Sequence, residues 1–250
     1  SEEARRAVAY ALDRAELARI FAESTGLPQE NPVSCQLIPP NIPGYVPYCP
    51  FTTSGAEPGS WEGPNLSRAR QLVQRSGTSG AELVVAISPY IGEELGRRLI
   101  TMLRDLGYRA ELRVEESEQG VLLELSPDMH VSVMGWVQDY PSAAQFLAPL
   151  FSCPDPDGGP SVEGAGEILY NLSNFCDPDI DRRMQRALDL QLTDPHASAR
   201  AWAELDHDLV DQAPIVPYST GIRVWLVSER ASNVEVSPQL DVLISQIWVR

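Results

Sequence analysis

Lysine is absent from this chain. All 19 basic residues are arginine, and 35 acids outnumber them, leaving a formal net charge of −16 and a pI near 4.5. A surface of that sign repels a phosphate backbone and no arginine stripe offsets it, which excludes nucleic acid as a partner. The arginine-only usage reads as a compositional bias and carries no mechanism. The acidity favours solubility, with a slight lean toward cationic or amine-bearing ligands.

Long apolar runs are lacking too. A stretch such as Leu83–Ile87 falls far short of the roughly 20 residues that a spanning helix needs. Histidine is scarce: His130, His196 and His207 share no metal-ligand spacing and read as surface or structural residues. The nucleophile elbow G-x-S-x-G is missing, as are the phosphate loop G-x-x-x-x-G-K-[ST] and the dinucleotide fingerprint G-x-G-x-x-G. Neither a cofactor nor catalysis is expected. No basic stretch followed by an apolar one opens the chain, so it reads as cytosolic or as a processed or excised piece.

What is present is an ordinary globular mixture, 43% hydrophobic and 22% charged over 250 residues, enough for one large domain or two smaller ones. The four cysteines fall as two separated pairs, Cys35 with Cys49 and Cys153 with Cys176, each bracketing a loop that contains proline. Neither pair has the close C-x-x-C spacing of a metal site, so the alternatives are free thiols or two disulfides. Disulfides are the preferred reading, because each would close a long irregular loop. Closing about 15 residues stabilises by roughly 3 kcal/mol in the chain-entropy model. Disulfides imply an oxidising compartment, which points outside the cytosol.

Apolar spacing predicts an amphipathic helix from Glu2 to Glu23, then a Pro/Gly/Ser-rich loop from Cys35 to Pro64. A helix from Leu66 to Ser76 stops at Gly77. Glu82–Ser88 reads as a buried strand, Ile91 to Leu106 as a helix, and Tyr108–Val114 as a second strand. Strand, helix and strand at this spacing form a βαβ unit, whose strands should be parallel with a right-handed crossover. A helical or turn segment leads to a third strand at Met129–Trp136, and a helical pattern follows Tyr140-Pro141 to Phe151. Ser152 to Gly166 reads as loop. Two further helices are expected, at Asp179–Gln191, begun by Asp177-Pro178, and at Pro195–Gln212, the latter with Asp194 as N-cap and Pro195 at its first position. The tail reads as strands at Ile215–Ser219, Val224–Ser228, Asn233–Ser237 and Ile244–Val249.

Five segments, in order, resemble one family, the peptide/nickel class of extracellular solute-binding proteins. They are Arg6-Ala7-Val8-Ala9-Tyr10-Ala11-Leu12-Asp13-Arg14, Pro39-Pro40-Asn41-Ile42-Pro43-Gly44-Tyr45, Gly135-Trp136-Val137-Gln138-Asp139-Tyr140-Pro141, Asn174-Phe175-Cys176-Asp177-Pro178-Asp179-Ile180-Asp181, and Ala213-Pro214-Ile215-Val216-Pro217. Members are about twice this long, so the resemblance implies the C-terminal half. It implies an α/β fold of the periplasmic-binding-protein type (class II). Residues 1–213 would form a ligand-binding lobe with a mostly parallel sheet, and residues 214–250 would be strands returning to a first lobe that lies outside this chain.

The resemblance also carries the site expectations. Asp139 matches an Asp that, in peptide-binding members, pairs with the peptide's free α-amino group. The alternative is a helix cap for the segment starting at Ser142. Trp136 would stack on the ligand or fill the core, and Tyr140 flanks the carboxylate. Asn174 would organise its loop or reach the ligand. Tyr45 and Trp61 would line the cleft or hold the long loop to the body. Asp177, Asp179 and Asp181 invite a carboxylate-pair hydrolase, although alternate acids at a helix start are usually caps. The function implied is capture of a short peptide or small solute without chemistry, in partnership with an ABC permease and the missing N-terminal half. Its place would be outside the cytosol, periplasmic or lipid-anchored. Exposed strand edges in the tail would invite a homodimer. A rival reading is a ligand- or partner-sensing domain of a regulatory protein on the same fold.

Overall fold

The computed structural model describes residues 1–26, 32–89, 91–115, 128–156, 160–162, 170–221, 224–237 and 241–250. The segment expected to be helix or turn before the third strand lies largely outside them.

Helix α1, Glu2–Ala11, is capped by the Ser1 hydroxyl, which accepts from the Ala4 amide, and it carries Glu2 and Glu3 where the helix dipole favours acids. The single helix expected to run to Glu23 is in fact two. The chain turns extended at Leu12 and Asp13, and α2, Arg14–Thr25, restarts from an N-cap in which Asp13 accepts from the Glu16 amide at 3.0 Å. An Asp followed three residues later by Glu is a helix-start signal, and here it outweighed the continuous apolar period. Helix α3, Leu66–Ser76, has Asn65 as N-cap and left-handed Gly77 after its end. Its Ala69, Leu72 and Val73 pack in one cluster with Ala7 and Ala11 of α1.

The βαβ unit is present. Strand β1, Glu82–Ile87, runs parallel to β2, Arg109–Val114, with Glu82 opposite Arg109 and Ile87 opposite Val114. Helix α4, Glu93–Asp105, connects them. It lies so close to the sheet that a Cβ on Gly96 would sit 2.6 Å from Leu112 Cδ1 and 2.8 Å from Ile87 Cδ1. Strand β3 joins the other side of β1 in parallel, giving the order β2-β1-β3. It is only Val131–Ser132, shorter than the expected Met129–Trp136. Beyond it the backbone is held by a helix instead of a neighbouring strand. His130 helps seat this strand: its amide donates to the Val84 carbonyl and its Nδ1 accepts from the Val84 amide at 3.2 Å.

A second core is helical. Helix α5, Ala144–Phe151, is buried at every residue; α6 is Pro178–Leu190 and α7 is Pro195–Gln212. Both α6 and α7 begin as expected, from Asp177 and Asp194 with proline in the first turn. Leu147, Phe151, Met184, Trp202, Leu205 and Leu209 form the centre of this cluster. A small third cluster of Ala9, Phe51, Val210 and Ala213 lies between the two, with Tyr10 edge-on to Phe51.

The tail departs from expectation. Residues 215–218 lie extended on the body, with Ile215, Val216 and Tyr218 packed against the cores, and only a single antiparallel bridge joins Ser219 to Val33. Val224–Ser228 forms no strand, and Leu226 is fully exposed. The remaining strands are two-residue pieces: β4, Ala231–Ser232, pairs with β7, Trp248–Val249, and β5, Val236–Ser237, pairs with β6, Asp241–Val242. A short 3-10 turn occupies Ile244–Gln246. Short isolated ladders with no third strand or covering helix gain little stability, which is why the apolar pattern does not condense into a sheet here.

Candidate functional site

The segment after β3, residues 135–141, is bound to the start of α5 by one residue, Gln145. Pro149 lies four residues further along α5 and has no amide hydrogen, so the Gln145 carbonyl receives no helical bond from that position. Trp136 fills the vacancy, donating its indole N–H to Gln145 O at 2.6 Å. The Gln145 side chain, itself buried, accepts from the Asp139 amide at 3.2 Å. Thus both residues singled out in the sequence are oriented from the same helical turn.

Asp139 is exposed, and among the described residues its carboxylate has no hydrogen bond or ion pair. It does not cap α5, which has no side-chain cap. Tyr140 beside it is 44% exposed. Trp136 is half-buried, with one side in the second core and its ring 5.2 Å from that of Tyr170 at an interplanar angle of 60°. A partnerless carboxylate next to aromatic surface can bind a cation or an ammonium group, since neighbouring apolar groups strengthen an ion pair by excluding water.

The two cysteine-bracketed loops flank this region, and both disulfides are formed, Cys35–Cys49 and Cys153–Cys176. Each loop is also held by a helix carboxylate. Asp206 of α7, wholly buried, accepts from Gln36 Nε2 at 2.8 Å and from the amides of Leu37 and Ile38 at 3.0 and 3.4 Å. Burial pushes its carboxyl above the ordinary range despite these three donors. Gln36 also donates to Val46 O and accepts from the Tyr48 amide, which ties the two ends of the loop together. Tyr48 stacks on His207 and donates to Asp211; burial and that carboxylate raise its phenol well above the usual range. Tyr45 is half-buried against the second core, next to Gly44, where a Cβ would lie 3.1 Å from both Trp202 Cβ and Ala199 O.

In the other loop Asp181 of α6 accepts from the Cys153 amide at 3.2 Å and from the Ser161 hydroxyl. Asn174 is exposed and in the left-handed region at φ 51°. The loop's backbone is instead satisfied by buried Asn171, whose Nδ2 donates to the carbonyls of Ser152 and Phe175. Trp61 is half-buried, and its indole N–H is buried without a partner. The three aspartates considered for hydrolysis have structural partners: Asp177 caps α6, Asp179 pairs with Arg182 at 2.8 Å, and Asp181 holds the loop.

The structure therefore brings Trp136, Asp139 and Tyr140 together on one segment. Tyr45 packs on the same core as Trp136, and Asn174 stands in a separate loop. Sequence reasoning passed over Gln145, Tyr170, Asn171 and Asp206. Only Gln145 had a readable signal, the proline four residues after it. Two shallow depressions, one between α1, α2 and α4 and one around Arg14, are lined by residues other than Asp139.

Comparison with known proteins agrees with this architecture. The family described as bacterial extracellular solute-binding proteins, family 5 Middle, matches residues 1–158. Among curated relatives, the peptide transport periplasmic protein SapA of Haemophilus influenzae is 28% identical over 115 residues, covering 45% of this chain and 18% of that protein. The di/tripeptide-binding protein 4 of Pseudomonas aeruginosa is 27% identical over 158 residues, covering 60% of this chain and 27% of the relative. Among solved structures, the clavulanic acid biosynthesis oligopeptide binding protein 2 superposes with a TM-score of 0.79 at 20% identity, over 99% of this chain and 43% of the other. A dipeptide binding protein from Pseudoalteromonas sp. SM9913, in complex with Met-Leu, gives 0.74 at 17% identity, over 100% of this chain and 45% of the other. The chain spans less than half the length of each of these proteins.

Proposed function

Because the chain belongs to the bacterial extracellular solute-binding proteins of family 5, we propose that it supplies one wall of a cleft that captures a short peptide or another small amine-bearing solute for an ABC importer. The observation that carries this reading is the exposed carboxylate of Asp139, without a partner among the described residues, beside Trp136 and Tyr140. In this reading Asp139 accepts the ligand's ammonium group, while Trp136 and Tyr140 exclude water from the pair. Tyr45 lines the cleft from the first disulfide loop, and Asn174 bounds it from the second. No step of chemistry is involved. Binding strength comes from closure of a second wall over the ligand, and the closed form docks on a permease.

The second wall belongs to chain outside these 250 residues. Residues 1–213 form the binding lobe, and residues 214–250 form the return to the other lobe. The exposed apolar run of Val224, Trp225, Leu226 and Val227 supports this division, since it is a surface in want of a partner. Left uncovered, the same run would draw two copies together. The two disulfides support a place outside the cytosol, periplasmic or membrane-anchored.

The test is a thermal-shift screen of the full-length protein against di- to pentapeptides, sugars and nickel chelates. A rise in Tm with peptides alone is expected. A rise confined to sugars or chelates, or none with any of them, rejects the peptide reading.

A further inference from the structure

Tyr170 belongs to no motif noted in the sequence, yet two of its own contacts and the anchoring of its neighbour fix it. Its ring meets Trp136 edge-on at 5.2 Å. Its amide donates at 3.0 Å to the carbonyl of Pro149, the residue that, lacking an N–H, leaves Gln145 free to receive Trp136. Its neighbour Asn171 is buried and bonded to Ser152 O and Phe175 O, inside the segment closed by Cys153–Cys176. One turn of α5 therefore orients both aromatic rings, Trp136 through Gln145 and Tyr170 through Pro149.

We propose that Tyr170 is a specificity-determining residue of the ligand wall, and that the Cys153–Cys176 disulfide positions it by holding together Ser152 and Phe175, the two residues that anchor its neighbour Asn171. This rests on the reading of Asp139 as the ammonium acceptor. Asp139 and Trp136 lie three residues apart on one segment held by Gln145; in this reading a ligand whose amine sits on Asp139 has its first side chain within reach of the Trp136–Tyr170 pair. An aromatic pair of this kind offers flat apolar surface with a hydroxyl at its edge. It suits ligands with a bulky aromatic or aliphatic first side chain over ones with glycine or alanine there.

The experiment is isothermal titration of the full-length protein with the dipeptides Phe-Ala, Leu-Ala and Gly-Ala. Wild type is compared with Tyr170→Ala, Tyr170→Phe, the pair Cys153→Ser/Cys176→Ser, the pair Cys35→Ser/Cys49→Ser, and Asp139→Asn. In wild type Phe-Ala and Leu-Ala bind more tightly than Gly-Ala. Tyr170→Ala reduces that preference by about tenfold, in line with the loss of an aromatic contact, and Tyr170→Phe restores most of it. Opening Cys153–Cys176 reproduces the Tyr170→Ala pattern, whereas opening Cys35–Cys49 does not. Asp139→Asn weakens all three dipeptides alike. If Asp139→Asn weakens binding but Tyr170→Ala leaves the preference intact, the role of Tyr170 is overturned and the peptide reading stands. If neither substitution has an effect, both are overturned.

Discussion

Arg14 donates its Nε–H to the carbonyl of Pro217 at 3.0 Å, across 203 positions of sequence. Its Nη1 donates to the carbonyls of Ala9 at 3.2 Å and Phe51 at 3.1 Å. The side chain is 1% exposed, and burial lowers its guanidinium to about 10. Three backbone segments thus meet on one cation: the end of α1, the close of the first disulfide loop and the stretch after α7.

Substitution of Arg14 is expected to be among the most damaging in the chain. Arg14→Ala leaves three carbonyls without their donor and should cost roughly 3 kcal/mol or more in urea unfolding. Arg14→Lys keeps the charge but cannot present the planar fork, and should recover less than half of the loss. A cost below roughly 1 kcal/mol for the alanine variant would mean that water replaces the guanidinium freely.

Asp206 should leave a pH signature. Its carboxyl is raised by burial above the ordinary 3.8. The folded state therefore holds the proton more tightly than the unfolded chain does, and unfolding releases it. The associated stabilisation is full below 3.8 and is lost as pH climbs through the folded-state value. Urea unfolding followed upward from pH 4 should show wild type losing stability relative to Asp206→Asn. Parallel curves, or the opposite slope, would show that the three donors outweigh desolvation.

Trp136 and Pro149 should be coupled. Trp136→Phe removes the donor to the buried Gln145 residue's carbonyl and should destabilise by roughly 1–3 kcal/mol. Adding Pro149→Ala supplies a helical amide at the position from which that carbonyl can be satisfied. The double variant is expected to be more stable than Trp136→Phe alone. A double-mutant cycle with no interaction energy would contradict the account of why the indole docks there.

Asp139→Asn in the full-length protein should weaken ligand binding by about 2 kcal/mol, read by calorimetry, while leaving the melting temperature of the unliganded protein unchanged. Stability should be insensitive because the carboxylate has no partner among the described residues. An unchanged affinity would remove Asp139 from the site.

Much of the framework was legible from short-range signals. Asp194-Pro195 started α7 at the expected residue, Gly77 ended α3, and the βαβ spacing predicted the parallel pairing of β1 with β2. The two disulfides followed from loop length and proline content, and both formed. These features depend on neighbours within a few residues or on one strong periodicity, so they can be read along the chain. The break at Asp13 carried such a signal too, in Glu16, but a continuous apolar period masked it.

Other features were decided only when distant segments met. That Arg14 is a buried hub rather than a surface cation depends on carbonyls from residues 9, 51 and 217 converging on it. That Asp206 is a loop clamp depends on Gln36, 170 positions away. Tyr170 reached Trp136 through a helix and a disulfide that no local pattern links. The tail shows the same dependence in reverse. Its apolar residues alternate like strands, but with no surface among the described residues to cover them Leu226 and Ile244 stay exposed and the ladders are two residues long. By itself the sequence determined the starts of α6 and α7, the end of α3, which cysteines pair and which carboxylate stands beside an aromatic pair of neighbours. The tertiary structure decided which polar groups are buried and partnered, because burial is a property of the surfaces brought together and not of the residue.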